Sequence, residues 1–310
     1  MTGEMSGFQG LPRRPGEQAA VCAIAKNEGV YLHEWITYHR LIGFDEILVY
    51  DNESTDGSTE LLAELAMHGL VTPIPWSVDP AVSPQTTAYE DGVARLGPDF
   101  GWIALIDIDE FLVLPRHRTI HDFLDEFGSL HAIGVNWKQF GSSGQLRYDP
   151  APVIERFQRC SLREYYRNSE VKPLVRTSLL ARPGRPHTPK LFAPARYLDV
   201  TGEPIRARRT KVVHHDTIRL NHYYTKSREE WQWKLTRGRG GKPSSLPEVK
   251  YAYPDFSVRD RNEDVEVDVV KYLPALRELM ARTKPTVRVE RPPGALSMTT
   301  SGGELTELGG

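Results

Sequence analysis

Cysteine is almost absent from this chain of 310 residues: Cys22 and Cys160 are the only two. Two cysteines give neither a disulfide framework nor the paired spacing of a metal site, so reduced thiols in a cytoplasmic protein are expected. Long apolar runs are also missing. Nothing reaches the ~20 apolar residues needed to cross a bilayer, and the opening MTGEMSGFQGLPRRPGEQ has no apolar core of the signal-peptide type. Neither sign of charge dominates. Lys and Arg number 39 against 41 Asp and Glu, a formal net charge of −2, which gives no global attraction to nucleic acid or membrane. No nucleic-acid partner and no transmembrane segment are expected, while peripheral membrane contact stays open.

What is present suits a globular α/β domain, with 39% hydrophobic and 26% charged residues. Short apolar runs alternate with helical periodicity. Ala20 to Ala25, Glu46 to Tyr50, Leu70 to Trp76 and Trp102 to Ile106 read as strands. Tyr31 to Ile42, Ser58 to Gly69 and Pro84 to Leu96 read as the helices between them. Such alternation implies crossovers and a mainly parallel sheet. In the second half, His131 to Trp137, Leu174 to Leu180 and Lys211 to Val213 read as strands, Arg228 to Arg237 as a helix, and about Val265 to Arg282 as a last helix. This divides the chain into a loose N-terminus (1–18), a main domain (19–240, with halves 19–115 and 116–240), a linker and C-terminal helix (241–283), and a Pro/Gly/Ser/Thr-rich disordered tail (284–310).

In parallel sheets, ligands bind beyond the carboxyl ends of the strands. Three polar clusters fall there: Lys26 to Glu28, Asp51 to Asp56 and Asp107 to Glu110. On a regular strand Asp107 and Asp109 project to one face. Two hard oxygen ligands so placed suit Mg²⁺ or Mn²⁺ with positions left for a substrate diphosphate. Asp51, ending a buried strand, is placed to accept hydrogen bonds from a nucleobase or ribose.

VCAIAKNEGVYLHEWITYHRLIGFDEILVYDNESTDGSTELL, then WIALIDIDEFL, resembles the nucleotide-sugar glycosyltransferases of GT-A fold, in particular the family 2-like and family 92-like branches. WKQFGSSG, KPLVR and LNHYYTKS are similar to later pieces of that group, and the resemblance spans about residues 19–240. It implies a mixed, mainly parallel sheet flanked by helices, with a C-terminal helical extension. It also implies transfer of a sugar from a nucleotide sugar, a UDP-sugar, to an acceptor hydroxyl with inversion.

Residue by residue, the resemblance assigns Asp107 and Asp109 to a divalent metal (Mn²⁺ or Mg²⁺), completed by His222 or alternatively His187. Ala25, Asn27, Glu28, Asp51, Asn52, Ser54, Asp107 and Lys226 fall to the donor. Lys234, Arg237, Lys172 and Arg176 offer further positive charge to the diphosphate. Trp137, Phe140, Gly141 and Ser142 fall to the acceptor: a glycan, a lipid-linked sugar, a peptide or a small molecule. Glu34 and His39 are expected as supporting hydrogen-bond partners around a core Trp35. The chain departs from family 2 in lacking an E-D pair followed by Q-x-x-R-W, leaving the catalytic base to be sought among Asp216, Glu164 and Glu170 of the second half, with Asp216 preferred, and Glu110. A nucleotidyltransferase or pyrophosphorylase is disfavoured by the single glycine of AKNEGV, and a silent carbohydrate-binding protein by the intact D-x-D.

Overall fold

The computed structural model describes residues 16–97, 99–237 and 255–291. Most of the expected loose N-terminus, the GRGGKPSS linker and the tail beyond residue 291 lie outside the described residues. Strands β1 (Ala19–Ala25), β2 (Glu46–Asp51), β3 (Thr72–Pro75) and β4 (Trp102–Leu105) alternate with helices α1 (Gly29–Leu41), α2 (Ser58–Met67) and α3 (Pro84–Leu96). β1 pairs in parallel with β2 and β4, and β2 with β3. Every residue of β1 is buried, as a strand covered on both faces requires. One face packs with Trp35, Ile36, Leu61 and Leu65, the other with Ala88 and Tyr89.

The chain continues through β5 (Glu110–Val113), α4 (Ile120–Phe127), β6 (Ala132–Gln139), α5 (Val153–Arg156), β7 (Arg159–Cys160), β8 (Val171–Arg176), β9 (Leu180–Arg185), β10 (Thr188–Leu191), β11 (Tyr197–Leu198), β12 (Arg219–His222), α6 (Arg228–Arg237), α7 (Phe256–Arg259), β13 (Asp264–Val265) and α8 (Leu273–Arg282). Strand β8 runs antiparallel between β4 and β6, β12 lies parallel to β6, and β5 closes the edge antiparallel to β12. The result is a nine-stranded mixed sheet of order β3-β2-β1-β4-β8-β6-β12-β5, with β11 added to β6. Parallel pairs outnumber antiparallel ones, the GT-A type of α/β architecture that the motifs imply.

An edge strand needs partners for its outward backbone groups, and α1 supplies them to β5. Trp35 Nε1 donates to the Glu110 carbonyl at 2.8 Å and the Tyr38 hydroxyl to the Leu112 carbonyl at 2.8 Å. Leu112 N–H donates to His39 Nε2 at 3.4 Å, while His39 Nδ1 donates to the Trp35 carbonyl at 2.8 Å. Glu34 accepts from the first two N–H groups of α5, at 2.7 and 3.1 Å. The E-W-x-x-x-H pattern is therefore structural, and it fixes the strand that begins at the acidic cluster.

Three expectations change. Residues 211–213 are not a strand; they belong to a loop drawn over β6, where Asn136 donates to Thr210 Oγ1 and accepts from His214 N–H. The long C-terminal helix is instead β13, a 3-10 turn at Asp268–Tyr272, and then α8, whose Leu273 and Leu276 join the main core beside α1. The tail does not become irregularly placed at residue 284. Thr286 and Val287 donate their N–H groups to Glu64 at 2.7 and 3.4 Å, and Glu290 N–H donates to the Asp56 carbonyl at 2.7 Å. Gly57, at φ +91°, makes room for this strap: a Cβ there would lie 2.8 Å from the Arg288 carbonyl oxygen.

Candidate active site

The acidic cluster is a turn between two strands, not an extension of one. Glu110 N–H donates to the Asp107 carbonyl at 3.0 Å and Asp107 N–H donates to Glu110 Oε2 at 2.9 Å, closing the turn at both ends. The same-face geometry expected of a regular strand is thereby lost, and the three carboxylates go to three different partners.

Asp107 receives Lys172 Nζ at 2.7 Å on one oxygen. Its other oxygen takes Gln85 Nε2 at 2.7 Å and the Tyr89 hydroxyl at 3.3 Å. Gln85 and Tyr89 stand one turn apart on α3 and share a face. Burial pushes the Asp107 carboxyl up, but Lys172 outweighs it and the group ends below its ordinary pKa. Lys172 is itself raised, burial being overcome by Asp107 and Glu110.

Asp109 receives Lys234 Nζ at 2.7 Å, and its other oxygen lies 3.6 Å from His222 Nε2. Burial again opposes ionisation, yet Lys234 and then His222 hold this carboxyl well below its usual range. His222 ends β12, directly opposite Glu110 in register. Burial keeps its imidazole below the ordinary pKa despite Asp109, and Gln139 Nε2 meets its Nδ1 at 2.9 Å.

Glu110 lies beneath both. Its side chain is 0% exposed, against 36% for Asp107, so only the aspartate opens to solvent. One Glu110 oxygen accepts from Trp137 Nε1 at 2.7 Å, and the other lies 3.5 Å from Lys172. Burial raises its pKa to about 8 against the pull of Lys172.

A cleft of about 440 Å³ opens beside this turn, lined by Asn27, Glu28, Tyr31 and Asp56 on one side and by Tyr224, Thr225, Lys226, Glu230, Trp233 and Lys234 on the other, with Glu290 of the strap. Its lysines rest on aromatic faces: Lys226 Nζ is 4.1 Å from the Tyr31 ring centre and Lys234 Nζ 3.7 Å from that of Tyr224. Burial lowers Lys226 to about 8. Lys226 also adopts φ +53°, a left-handed conformation that costs a non-glycine residue about 1 kcal/mol. Its neighbourhood is rigid. Ser227 and Glu230 cap α6, with Ser227 Oγ donating to Glu230 at 2.5 Å, and Arg156 donates to both Glu230 oxygens at 2.9 Å.

Residues 20–252 match the family model described as glycosyltransferase family 92. The chain belongs to glycosyltransferase family 92. A family 92 protein of Ricinus communis is 30% identical over 260 residues, covering 78% of this chain and 43% of the relative. Another, from Oryza sativa subsp. japonica, is 32% identical over 139 residues, covering 44% and 23% respectively. The chain thus spans less than half the length of these curated relatives. Among solved structures, S. aureus TarS shares 15% identity at a TM-score of 0.35, covering 52% of this chain and 29% of TarS. The family 92 match includes the acidic turn, β12 and α6, and leaves α8 and the strap outside it.

Within the family 92 domain, the expected site residues separate into those that meet and those that do not. Asn27, Glu28 and Lys226 line the cleft. Ala25, Asn52, Ser54 and Asp51 build its floor instead. Asn52 N–H donates to the Ala25 carbonyl, Asn27 N–H to Ser54 Oγ, and Asp51 accepts from Ser54 N–H and Thr59 Oγ1. His187 sits between β9 and β10, bonded to the Val171 carbonyl at 2.8 Å, and Trp137 packs against both His187 and His222.

Asp216 is not at the site. Its side chain is 69% exposed and pairs with Arg163 at 2.6 Å, three residues before the end of β12 remote from His222. Glu164 is exposed on the loop that carries Arg163, Glu170 is buried and paired with Arg209, and Glu110 is sealed below the turn, so none of the four expected bases lines the cleft. The expected acceptor residues are turned inward. Phe140 is core, packed on Tyr223. A Cβ on Gly141 would fall 2.3 Å from the Arg261 carbonyl oxygen, and Ser142 bonds Asp260 through both N–H and Oγ. They hold the chain's own segment 260–262. Trp137 is buried as the Glu110 donor. Arg176 donates to the Gly128 carbonyl at 2.6 Å, and the Arg237 side chain lies outside the described residues. Tyr31, Tyr224, Trp233 and Glu290 line the cleft without having been singled out in the sequence; the Ser227-x-x-Glu230 capping box marks the start of the helix that carries Trp233 and Lys234.

Proposed function

We propose that this family 92 chain transfers a sugar from a nucleotide-sugar donor, a UDP-sugar, to an acceptor hydroxyl with inversion, assisted by Mn²⁺ or Mg²⁺. The observation that carries the reading is the pairing of the D-x-D turn with a cleft whose tyrosine-backed Lys226 and Lys234 converge beside Asp109. A diphosphate is a group whose negative charge suits the two converging ammonium groups.

The donor set fits a divalent cation held by few protein ligands. Asp109 Oδ1 and His222 Nε2 face each other at 3.6 Å, and Lys234 shows that the carboxylate already accepts a cation. Among the described residues no third His, Cys, Asp or Glu joins them. Asp107, expected as a ligand, is committed to Lys172 and Gln85. Asp109 and His222 would hold the metal, which when bound neutralises charge on the departing diphosphate. Lys226 and Lys234 supply fixed positive charge to the same leaving group without reorganisation. Lys172 and Glu110 keep the turn in place. Inversion requires the acceptor's proton to leave to a base on the sugar face opposite the diphosphate.

Incubation with a panel of nucleotide sugars, with Mn²⁺ and with chelator, tests this directly. Metal-dependent release of UDP from one donor and a product of inverted anomeric configuration by NMR are the expected results. No nucleotide release from any donor would refute the transferase reading.

A further inference from the structure

Tyr224 links the cleft to a second basic site. Its ring carries Lys234 and also Arg259, whose guanidinium carbon stands 5.0 Å from the ring centre. Burial and the like charge of Arg167 both push Arg259 below its ordinary pKa. The Nε atoms of Arg167 and Arg259 are buried with no hydrogen-bond partner. Arg167, Arg208 and Arg209 meet at one oxygen, Glu170 Oε1, at 3.4, 3.6 and 3.1 Å. Three guanidiniums thus share a single carboxylate, and Arg259 adds a fourth positive charge that acts on Arg167. Nearby cations with partners of their own stand apart from this excess: Arg163 pairs with Asp216 and Arg261 with Glu263.

Like charges gathered this closely repel unless a further anion joins them, and guanidiniums suit planar or tetrahedral oxyanions. The exposed ring of Tyr166 lies among them, 5.2 Å from the Arg167 guanidinium and 5.7 Å from that of Arg209, offering a flat apolar face of the kind a sugar ring covers. The position is at the reacting end of the sheet. Glu170 is two residues from Lys172, the partner of Asp107, and its carbonyl accepts from Trp137 N–H at 2.9 Å.

We infer that the cluster of Arg167, Arg208, Arg209 and Arg259 around Tyr166 binds an anionic group, a carboxylate or a phosphate, carried by the acceptor sugar. The acceptor role rests on the transferase reading; the anion site stands on its own geometry.

Isothermal titration of the full chain with glucuronate, glucose 6-phosphate and glucose provides the test. At least one anionic sugar is expected to bind about tenfold or more tightly than glucose, and which one does so identifies the carboxylate or the phosphate. Arg259→Gln and Arg209→Gln should each remove most of that preference while leaving glucose affinity, the thermal midpoint and UDP binding unchanged. Arg209 is 45% exposed, so its variant keeps the test valid if Arg259→Gln disturbs folding. Equal affinity for all three sugars, or a preference that survives Arg209→Gln in a folded protein, would overturn the site. An anion preference in a chain that releases nucleotide from no donor would overturn the acceptor role.

Discussion

Asp107, Asp109 and Glu110 stand within four residues of one another, yet Lys172 reaches the first, Lys234 the second and Trp137 the third. Their roles follow from those partners. Asp109→Asn removes the charge shared by Lys234 and His222 but keeps the shape, so metal-dependent nucleotide release should fall by about 10²–10³-fold, the scale of losing one preorganised electrostatic group. Thermal unfolding should move little; turnover at the wild-type rate would remove Asp109 from the site. Glu110→Ala should behave oppositely at the level of folding. It strands the Trp137 indole N–H and the Asp107 N–H, and leaves Lys172 with one carboxylate fewer, a loss of about 2–4 kcal/mol by urea denaturation. Retained stability would show that the buried carboxylate is dispensable. The D-x-D was legible because its acids follow an apolar strand. The division of labour was not, because it depends on Lys172, Trp137 and Lys234, which lie far along the chain.

At the level of elements, the βα alternation of the first hundred residues could be read because β1, β2 and β4 are buried apolar runs and the helices between them are periodic. Strand β5 was hidden because it is only four residues long and follows directly on the acidic turn, and its stabilisation comes from Trp35, Tyr38 and His39 on α1. The second half was read less well for a related reason: strands of two to six residues there are placed by pairing with distant partners, and a short run carries little periodicity. The strap shows the same dependence. Pro/Gly/Ser/Thr-rich composition predicts disorder from residue 284, whereas Glu64 on α2 provides acceptors for Thr286 and Val287. Glu64→Ala should therefore free the segment without unfolding the domain. Faster amide exchange at residues 286–290 with an unchanged thermal midpoint is expected; unaltered exchange would mean that Glu64 is not the anchor.

For the whole molecule, a net charge of −2 concealed both the lysine-lined cleft and the arginine cluster, since composition averages over sites that folding separates. Burial of titratable groups has a global consequence as well. His33, His39, His187 and His215 are pushed from 6.5 to about 4, 3, 4 and 4, chiefly by burial, so they stay neutral in the native state near neutral pH. Groups with depressed folded values contribute stability that is present above pH 6.5 and lost as the pH falls toward those values. Glu34 and Glu110, raised by burial from 4.5 to about 7 and 8, act in the opposite sense and favour the native state as the pH falls to 4.5. Between pH 6.5 and 4.5, four histidines that take up protons on unfolding are set against two carboxyls that the native state already holds protonated. Proton uptake on unfolding therefore dominates, and stability should fall as the pH drops from 6.5 to 4.5. His39→Gln removes one of the four and should make that fall shallower over the same range, whatever the variant loses in packing. Urea midpoints measured at both ends of the window decide it: a slope in His39→Gln equal to that of the wild type would show that His39 does not remain neutral in the folded core.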